Sequence, residues 1–232
     1  MLAIIPARGG SKGIPGKNIV PVAGRPLLSW TILAAHGSQS LDRIVVSTDS
    51  EEIADVARRD GAEVIMRPEC LAEDDTPTLQ ALQHAVQALS DLDGYAPEAV
   101  MTLQPTSPLR TTEDIDAAAA LFSRDPTADS LVSVITVPHI FHPLSVMKQD
   151  EGGYLIPFVT GTQTPTRRQD KTPVLARNGA AIYITRTTCL NSFVFGGRLL
   201  PFPMPEERSL DIDTMADLEI AERVLNRQQA SV

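Results

Sequence analysis

The 232-residue chain is poor in the residues that build cross-linked, metal-caged or membrane-embedded proteins. Its two cysteines, Cys70 and Cys189, lie far apart without CxxC spacing, so neither a disulfide scaffold nor a thiolate zinc site can be argued from them. So few thiols fit a reducing, cytoplasmic setting. No apolar run reaches the roughly 18 residues of a membrane span, and the N-terminus lacks the basic, apolar, small-residue order of a signal peptide. A soluble, unprocessed protein is expected. The four histidines, His36, His84, His139 and His142, show neither HxH nor HExxH spacing. There is no GxSxG, no Walker A sequence and no GxGxxG, so a serine hydrolase, an ordinary P-loop ATPase and a dinucleotide dehydrogenase are unsupported. Basic residues are also scarce: 20 Lys plus Arg face 29 Asp plus Glu, and the net charge of −9 repels nucleic acid and anionic lipid.

That imbalance reverses locally. Residues 1–41 contain no Asp or Glu but hold Arg8, Lys12, Lys17 and Arg25. A cationic segment in an otherwise anionic protein points to a small anionic ligand.

With 43% hydrophobic residues the chain can bury the core of one large domain. Apolar β-type runs at Leu2–Pro6, Arg43–Ser47, Glu63–Met66, Ala99–Leu103, Leu131–Val137 and Ala180–Thr185 predict strands. Helical spacing predicts helices over Pro26–Ala35, Ser50–Asp60 with Ser50 as N-cap, Thr78–Leu89, from Thr112, and over Thr214–Arg227. Alternating strands and helices imply a mostly parallel sheet, whose ligands gather at the carboxyl ends of the strands. Between residues 138 and 173 both periods fail, which reads as an insertion in a core formed by residues 1–137 and 174–232.

The segment Pro6–Asn18, PARGGSKGIPGKN, sets four glycines and three cations directly after a strand. Glycines let the backbone approach a polyanion while Arg8, Lys12 and Lys17 neutralise it, as in phosphate-binding loops; Gly9, Gly10 and Ser11 supply the backbone of that cradle. In Ser209–Thr214, SLDIDT, Asp211 and Asp213 are two residues apart, so in an extended segment both carboxylates point the same way and suit a hard divalent ion. The alternative, in which Asp213 or Thr214 caps the final helix, stays open. Nothing in the sequence offers a covalent nucleophile, so direct displacement is expected.

These segments resemble the acylneuraminate cytidylyltransferases, over nearly the whole chain: IIPARGGSKGIPGKN at the start, VSTDSEEIA from Val46, RPECLAEDDTPT from Arg67, LQPTSPLRT from Leu103, RNGAAIYI from Arg177 and SLDIDT from Ser209. The resemblance implies a Rossmann-like nucleotidyltransferase of α/β class, whose insertion at 138–173 exchanges contacts in a homodimer. It implies CTP and a nine-carbon keto sugar acid as substrates and Mg²⁺ on Asp211 and Asp213. Arg8, Lys12 and Lys17 would hold the triphosphate and Asn18 the nucleotide, while Arg67, Asp75 and Thr78 would select cytosine. Gln104, Tyr183 and either Arg167 or Arg168 would meet the sugar. Arg8, Lys17 and Asp211 would carry the catalysis.

One position departs from the resemblance. Where sialic acid enzymes are expected to carry lysine shortly after HPL, this chain has Ser145, with Lys148 three residues on, so legionaminic, pseudaminic or related acids compete with sialic acid. A cytidylyltransferase for the eight-carbon acid KDO, a hexose-1-phosphate nucleotidyltransferase and a non-catalytic nucleotide-sugar sensor are the remaining alternatives.

Overall fold

A computed structural model describes residues 1–11, 13–161, 171–179 and 181–230. The first half alternates β1 (Leu2–Pro6), the two short strands β2 (Pro21–Val22) and β3 (Arg25–Pro26), α1 (Leu27–His36), β4 (Arg43–Thr48), α2 (Glu51–Arg59), β5 (Glu63–Met66), α3 (Thr78–Asp93) and β6 (Ala99–Thr102). There follow α4 (Thr112–Arg124), β7 (Ser130–Thr136), the hairpin β8 (Met147–Gln149) and β9 (Leu155–Pro157), then β10 (Leu175–Arg177), β11 (Tyr183–Arg186), β12 (Leu199–Pro203) and α5 (Met215–Gln229).

Eight of the strands form one mixed sheet in the order β10-β7-β11-β6-β1-β4-β5, with β12 added beside β7. The pairs β1/β4, β4/β5, β1/β6 and β12/β7 are parallel; β11/β6, β11/β7 and β10/β7 are antiparallel. The expected α/β class with a mostly parallel sheet is therefore what the chain forms. The chain leaves β1 toward β4 on one side and later returns to β6 on the other. Strand order thus reverses between β1 and β6, and the crevice beyond their carboxyl ends is the place where such sheets bind ligands.

The core follows from the apolar runs. Ala3 and Ile5 face one side of the sheet with Leu28 and Ile32 of α1, while Leu2 and Ile4 face the other with Leu82, Ala85 and Leu89 of α3, as period-two alternation demands. Each fully buried Leu or Ile contributes roughly 1.5–3 kcal/mol. Ser50 caps α2 as predicted, its hydroxyl accepting from Ile53 N. Thr111 and Thr214 cap α4 and α5, each in a reciprocal box with the aspartate three residues on.

Several segments differ from the sequence expectation: β2, β3 and β10 are additional short strands, and β11 is Tyr183–Arg186 where Ala180–Thr185 was expected. α3 runs on to Asp93, because its first stop signal is Gly94, at φ +75°. β12, with Pro201 and Pro203, pairs among the described residues with β7 alone, at an edge, where a missing N–H costs little. Inside the irregular segment the Gly-Gly pair makes a hairpin turn: Asp150 Oδ1 accepts from Gly152 N and Tyr154 N, each at 2.9 Å, and Gly153 has φ +83°.

Candidate active site

The carboxyl ends of β1 and β6 open into a cleft of about 400 Å³. Beyond β1 the ladder to β4 continues for one residue through Ala7 N donating to Ser47 O at 2.9 Å. The loop then folds back on itself: the buried Asn18 donates from Nδ2 to Arg8 O at 2.9 Å, and Gly9 N donates to Asp49 Oδ1 at 3.0 Å. A Cβ on Gly9 would come 3.1 Å from Ser50 Cβ, so glycine is what lets the loop lie against the start of α2. Arg8, Ser11, Lys17 and Asn18 all line the cleft, whereas Gly9 and Gly10 do not; Lys12 lies outside the described residues.

Arg67, at the end of β5, lines the opposite wall. It is 8% exposed, its Nε has no hydrogen-bond partner among the described residues, and its guanidinium stands 3.8 Å from Asp49. Burial lowers its pKa, with Arg8 pushing the same way and Asp49 opposing. Arg67 thus lines the cleft as a buried cation whose pairing with Asp49 is long, and a polar ligand there would add the contacts it lacks. Thr78 opens α3, a 16-residue helix whose N-cap, Pro77, makes no side-chain cap, so its first N–H groups and positive dipole end are presented to the same cleft. Asp75 is exposed and outside the lining. Its neighbour Asp74 lines the cleft and pairs with Arg8 at 2.8 Å.

The segment before α5 borders this cleft. Ile212 N donates to Thr106 O at 2.9 Å, and Lys17 Nζ reaches across to Ile212 O at 2.7 Å and Asp213 Oδ1 at 3.3 Å. Gly13 packs there too: a Cβ on it would stand 3.0 Å from Asp213 O. Asp211 is half-buried; burial raises its pKa and the charge of Asp213 adds to that, while a hydrogen bond with Thr106 and the charge of Lys17 oppose. Its carboxylate rests on Gly179, where an added Cβ would lie 2.3 Å from Oδ2. The helix cap is Thr214, with Asp217, and Asp213 keeps its carboxylate exposed beside Lys17. The helix cap at Thr214 therefore leaves both Asp211 and Asp213 free of the capping role.

A second cavity, of about 380 Å³, shares Pro77, Thr78 and Gln104 with the first and continues along Leu79, Tyr183, Val194 and Phe195. Tyr183 is buried, which raises its hydroxyl pKa against the lowering effect of Arg177. Its ring stands 5.1 Å from Phe195, and the Arg177 guanidinium covers the Phe195 ring at 4.6 Å. At Ser145, the hydroxyl accepts from Lys171 Nζ at 2.7 Å, so a cation reaches that position from elsewhere in the chain. Arg167 and Arg168 lie outside the described residues.

Sequence reasoning did not single out Asp49, Asp74, Thr106, Arg110, Arg177 or Phe195 as individual site residues. Asp49, Asp74, Thr106, Arg110 and Arg177 did stand inside quoted segments, which was the available signal. Phe195 had none.

The cytidylyltransferase family model matches residues 2–195. The chain belongs to the cytidylyltransferase family. It is 34% identical over 241 residues to the CMP-N,N'-diacetyllegionaminic acid synthase of Legionella pneumophila, covering 100% of this chain and 99% of that protein. It is 32% identical over 233 residues to the N-acylneuraminate cytidylyltransferase of Escherichia coli O18:K1:H7, covering 99% of this chain and 54% of that protein. The N-acylneuraminate cytidylyltransferase of Streptococcus agalactiae serotype III is 36% identical over 220 residues, 93% of this chain and 51% of that one. The chain therefore spans about half the length of the last two relatives and nearly all of the first. Among solved structures, CMP:2-keto-3-deoxy-manno-octonic acid synthetase complexed with CTP superposes with a TM-score of 0.71 at 17% identity, covering 98% of both chains. A 4-diphosphocytidyl-2C-methyl-D-erythritol synthase from Anaerococcus prevotii gives 0.64 at 15% identity, covering 97% of this chain and 98% of that one. The cytidylyltransferase thus shares the fold of nucleotidyltransferases whose sequences have diverged far from it.

Proposed function

We propose that this cytidylyltransferase transfers CMP from CTP to the anomeric hydroxyl of a nonulosonic acid of the sialic, legionaminic or pseudaminic type, releasing pyrophosphate. One observation carries the reading: a cation-lined cleft and an amide-and-aromatic cavity meet along the wall formed by Pro77, Thr78 and Gln104. A triphosphate in the first and a sugar acid in the second would place the sugar hydroxyl beside the α-phosphorus. The O–P bond forms in line, the bond to the β-phosphate oxygen breaks, and pyrophosphate leaves. Positioning and charge neutralisation supply the rate in such transfers. Arg8 and Lys17 hold the phosphates, with Ser11 and Asn18 beside them, while Arg67 and the N-terminal end of α3 at Thr78 receive the base. Gln104 and Tyr183 orient the sugar, and Asp211 takes the proton its hydroxyl loses, burial having made the carboxylate a stronger base.

Asp211 and Asp213 also fit Mg²⁺. Among the described residues no cluster of three or more His, Cys, Asp or Glu side chains forms a closed metal cage. Two neighbouring carboxylates, completed by phosphate oxygens and water, are the donor set Mg²⁺ accepts. Bound there, the ion would neutralise charge on the phosphates.

The insertion at 138–173 is our candidate dimerisation arm, because Ile140, Phe141, Tyr154, Leu155 and Phe158 are all exposed on it. Arg167 and Arg168 belong to that arm and would reach a sugar site from it. A cytoplasmic location agrees with two free cysteines and with the absence, among the described residues, of a helix long and apolar enough to cross a membrane.

Asp74 gives a first test of the phosphate assignment. It occupies Arg8 with one negative charge where a triphosphate would bring several, so the two compete. Asp74→Asn is expected to lower the KM for CTP about two- to fivefold, the range of a partly exposed ion pair. A higher KM would instead make Asp74 a contact that supports the nucleotide. The activity itself is tested by pyrophosphate release with CTP and free sugar acids against sugar phosphates.

A further inference from the structure

Arg110, between β6 and α4, is 3% exposed, and its three hydrogen bonds all go to neutral oxygens. Nη1 donates to Ala181 O at 2.5 Å and to Gln104 O at 3.3 Å; Nη2 donates to Thr31 Oγ1 at 2.8 Å. Thr31 in turn directs its hydroxyl to Gln104 O at 3.5 Å. The carboxylate of Asp114 is already held by Arg208 through two contacts of 2.8 Å. Burial brings the Arg110 pKa down to about 9.

A buried guanidinium without a carboxylate of its own is costly, and an apolar side chain would fill the same volume at lower cost. What an apolar residue lacks is a planar fork able to hold two carbonyls and a hydroxyl from three separate elements. Those elements are α1, the loop after β6 and the segment entering β11. One carbonyl is that of Gln104, which lines the smaller cavity; the other, of the buried Ala181, lies two residues before Tyr183, which lines it as well.

We propose that Arg110 is a positioning residue for the sugar site, pinning the backbone of Gln104 to that of Ala181 and so fixing the gap between Gln104 and Tyr183. The inference rests on the reading that the smaller cavity receives the sugar acid. Arg8, Lys17, Asn18 and Arg67, which the CTP reading uses, are held by contacts that do not involve Arg110.

The test uses the full-length enzyme with Arg110→Lys, which keeps the charge and loses the fork, and Thr31→Val, which removes one contact and leaves the arginine. In Arg110→Lys the KM for the sugar acid rises about tenfold or more, as loss of alignment in an active site commonly requires, while the Kd for CTP measured without sugar stays within about twofold. Thr31→Val moves the same quantity in the same direction, by about two- to threefold. Equal losses for both ligands, or an unchanged sugar KM in a variant that melts like wild type, would overturn the assignment. Should Arg110→Lys not fold, Thr31→Val decides by the same split. Wild type that turns over no free sugar acid removes the site reading and this inference with it, whereas active wild type with variants showing no split removes only the role of Arg110.

Discussion

Lys17→Ala lowers turnover by about two to three orders of magnitude, the usual cost of deleting one preorganised donor to a transition-state charge. The expectation comes from where Lys17 sits. Its side chain is 14% exposed and its ammonium is held by Ile212 O and Asp213 Oδ1, so it stands between the phosphate loop and the carboxylate pair without swinging in solvent. A cation fixed before the substrates arrive pays no reorganisation when charge shifts onto the leaving pyrophosphate. Its removal also leaves the like charges of Asp211 and Asp213 less compensated, which pushes the Asp211 pKa further up. Steady-state kinetics with varied CTP should therefore show kcat falling more than KM rises. A kcat within twofold of wild type would exclude Lys17 from the chemistry.

The next largest effect belongs to a residue with no functional group. Gly179 has φ +79°, and a Cβ there would stand 2.3 Å from Asp211 Oδ2 and 2.7 Å from its Cβ. Neither the backbone conformation nor the space suits alanine, and the atoms displaced are those of the aspartate assigned to metal and proton. Gly179→Ala is expected to reduce kcat by about a hundredfold, the scale of an ångström-sized misplacement in an active site. Positive φ alone costs alanine about 1–2 kcal/mol, so the melting temperature should fall by roughly 2–8 °C. Gly94→Ala supplies the control: φ is +75° at the end of α3, and an added Cβ meets nothing within 4 Å. That variant should lose comparable stability and keep its turnover. If both variants lose activity alike, the packing of Gly179 on Asp211 has no functional weight.

These two residues also show how much was legible beforehand. Lys17 was readable because its neighbourhood is local: a glycine-rich, carboxylate-free loop after an apolar run carries its meaning in consecutive residues. The same holds for Ser50, which caps its helix through Ile53, and for the spacing of Asp211 and Asp213. Gly179 was part of a recognised segment, yet its contact is with a residue 32 positions on, and only the fold brings the two together. Arg110 looks in the sequence like an ordinary surface arginine. Its burial arises because α1, the β6 loop and the approach to β11 converge on it.

The pair Asp74 and Asp75 shows the limit at single-residue scale, since either could turn inward from a loop and the one that does is fixed by the reach of Arg8. β12 escaped for another reason: two prolines in five residues oppose a strand reading, and only an edge position next to β7 makes one tolerable. Phe195 enters the site through the ring of Tyr183, a contact no spacing rule encodes.

The central claim is CTP-dependent transfer to a free nine-carbon sugar acid. It is tested most directly by pyrophosphate release from CTP, ATP, GTP or UTP, with and without Mg²⁺, against sialic, legionaminic and pseudaminic acids, KDO and a panel of sugar phosphates. The account predicts Mg²⁺-dependent release with CTP and one or more of the nine-carbon acids, and little with the other nucleotides. Release only with a sugar phosphate, or none with any acid from protein that binds CTP, would contradict it.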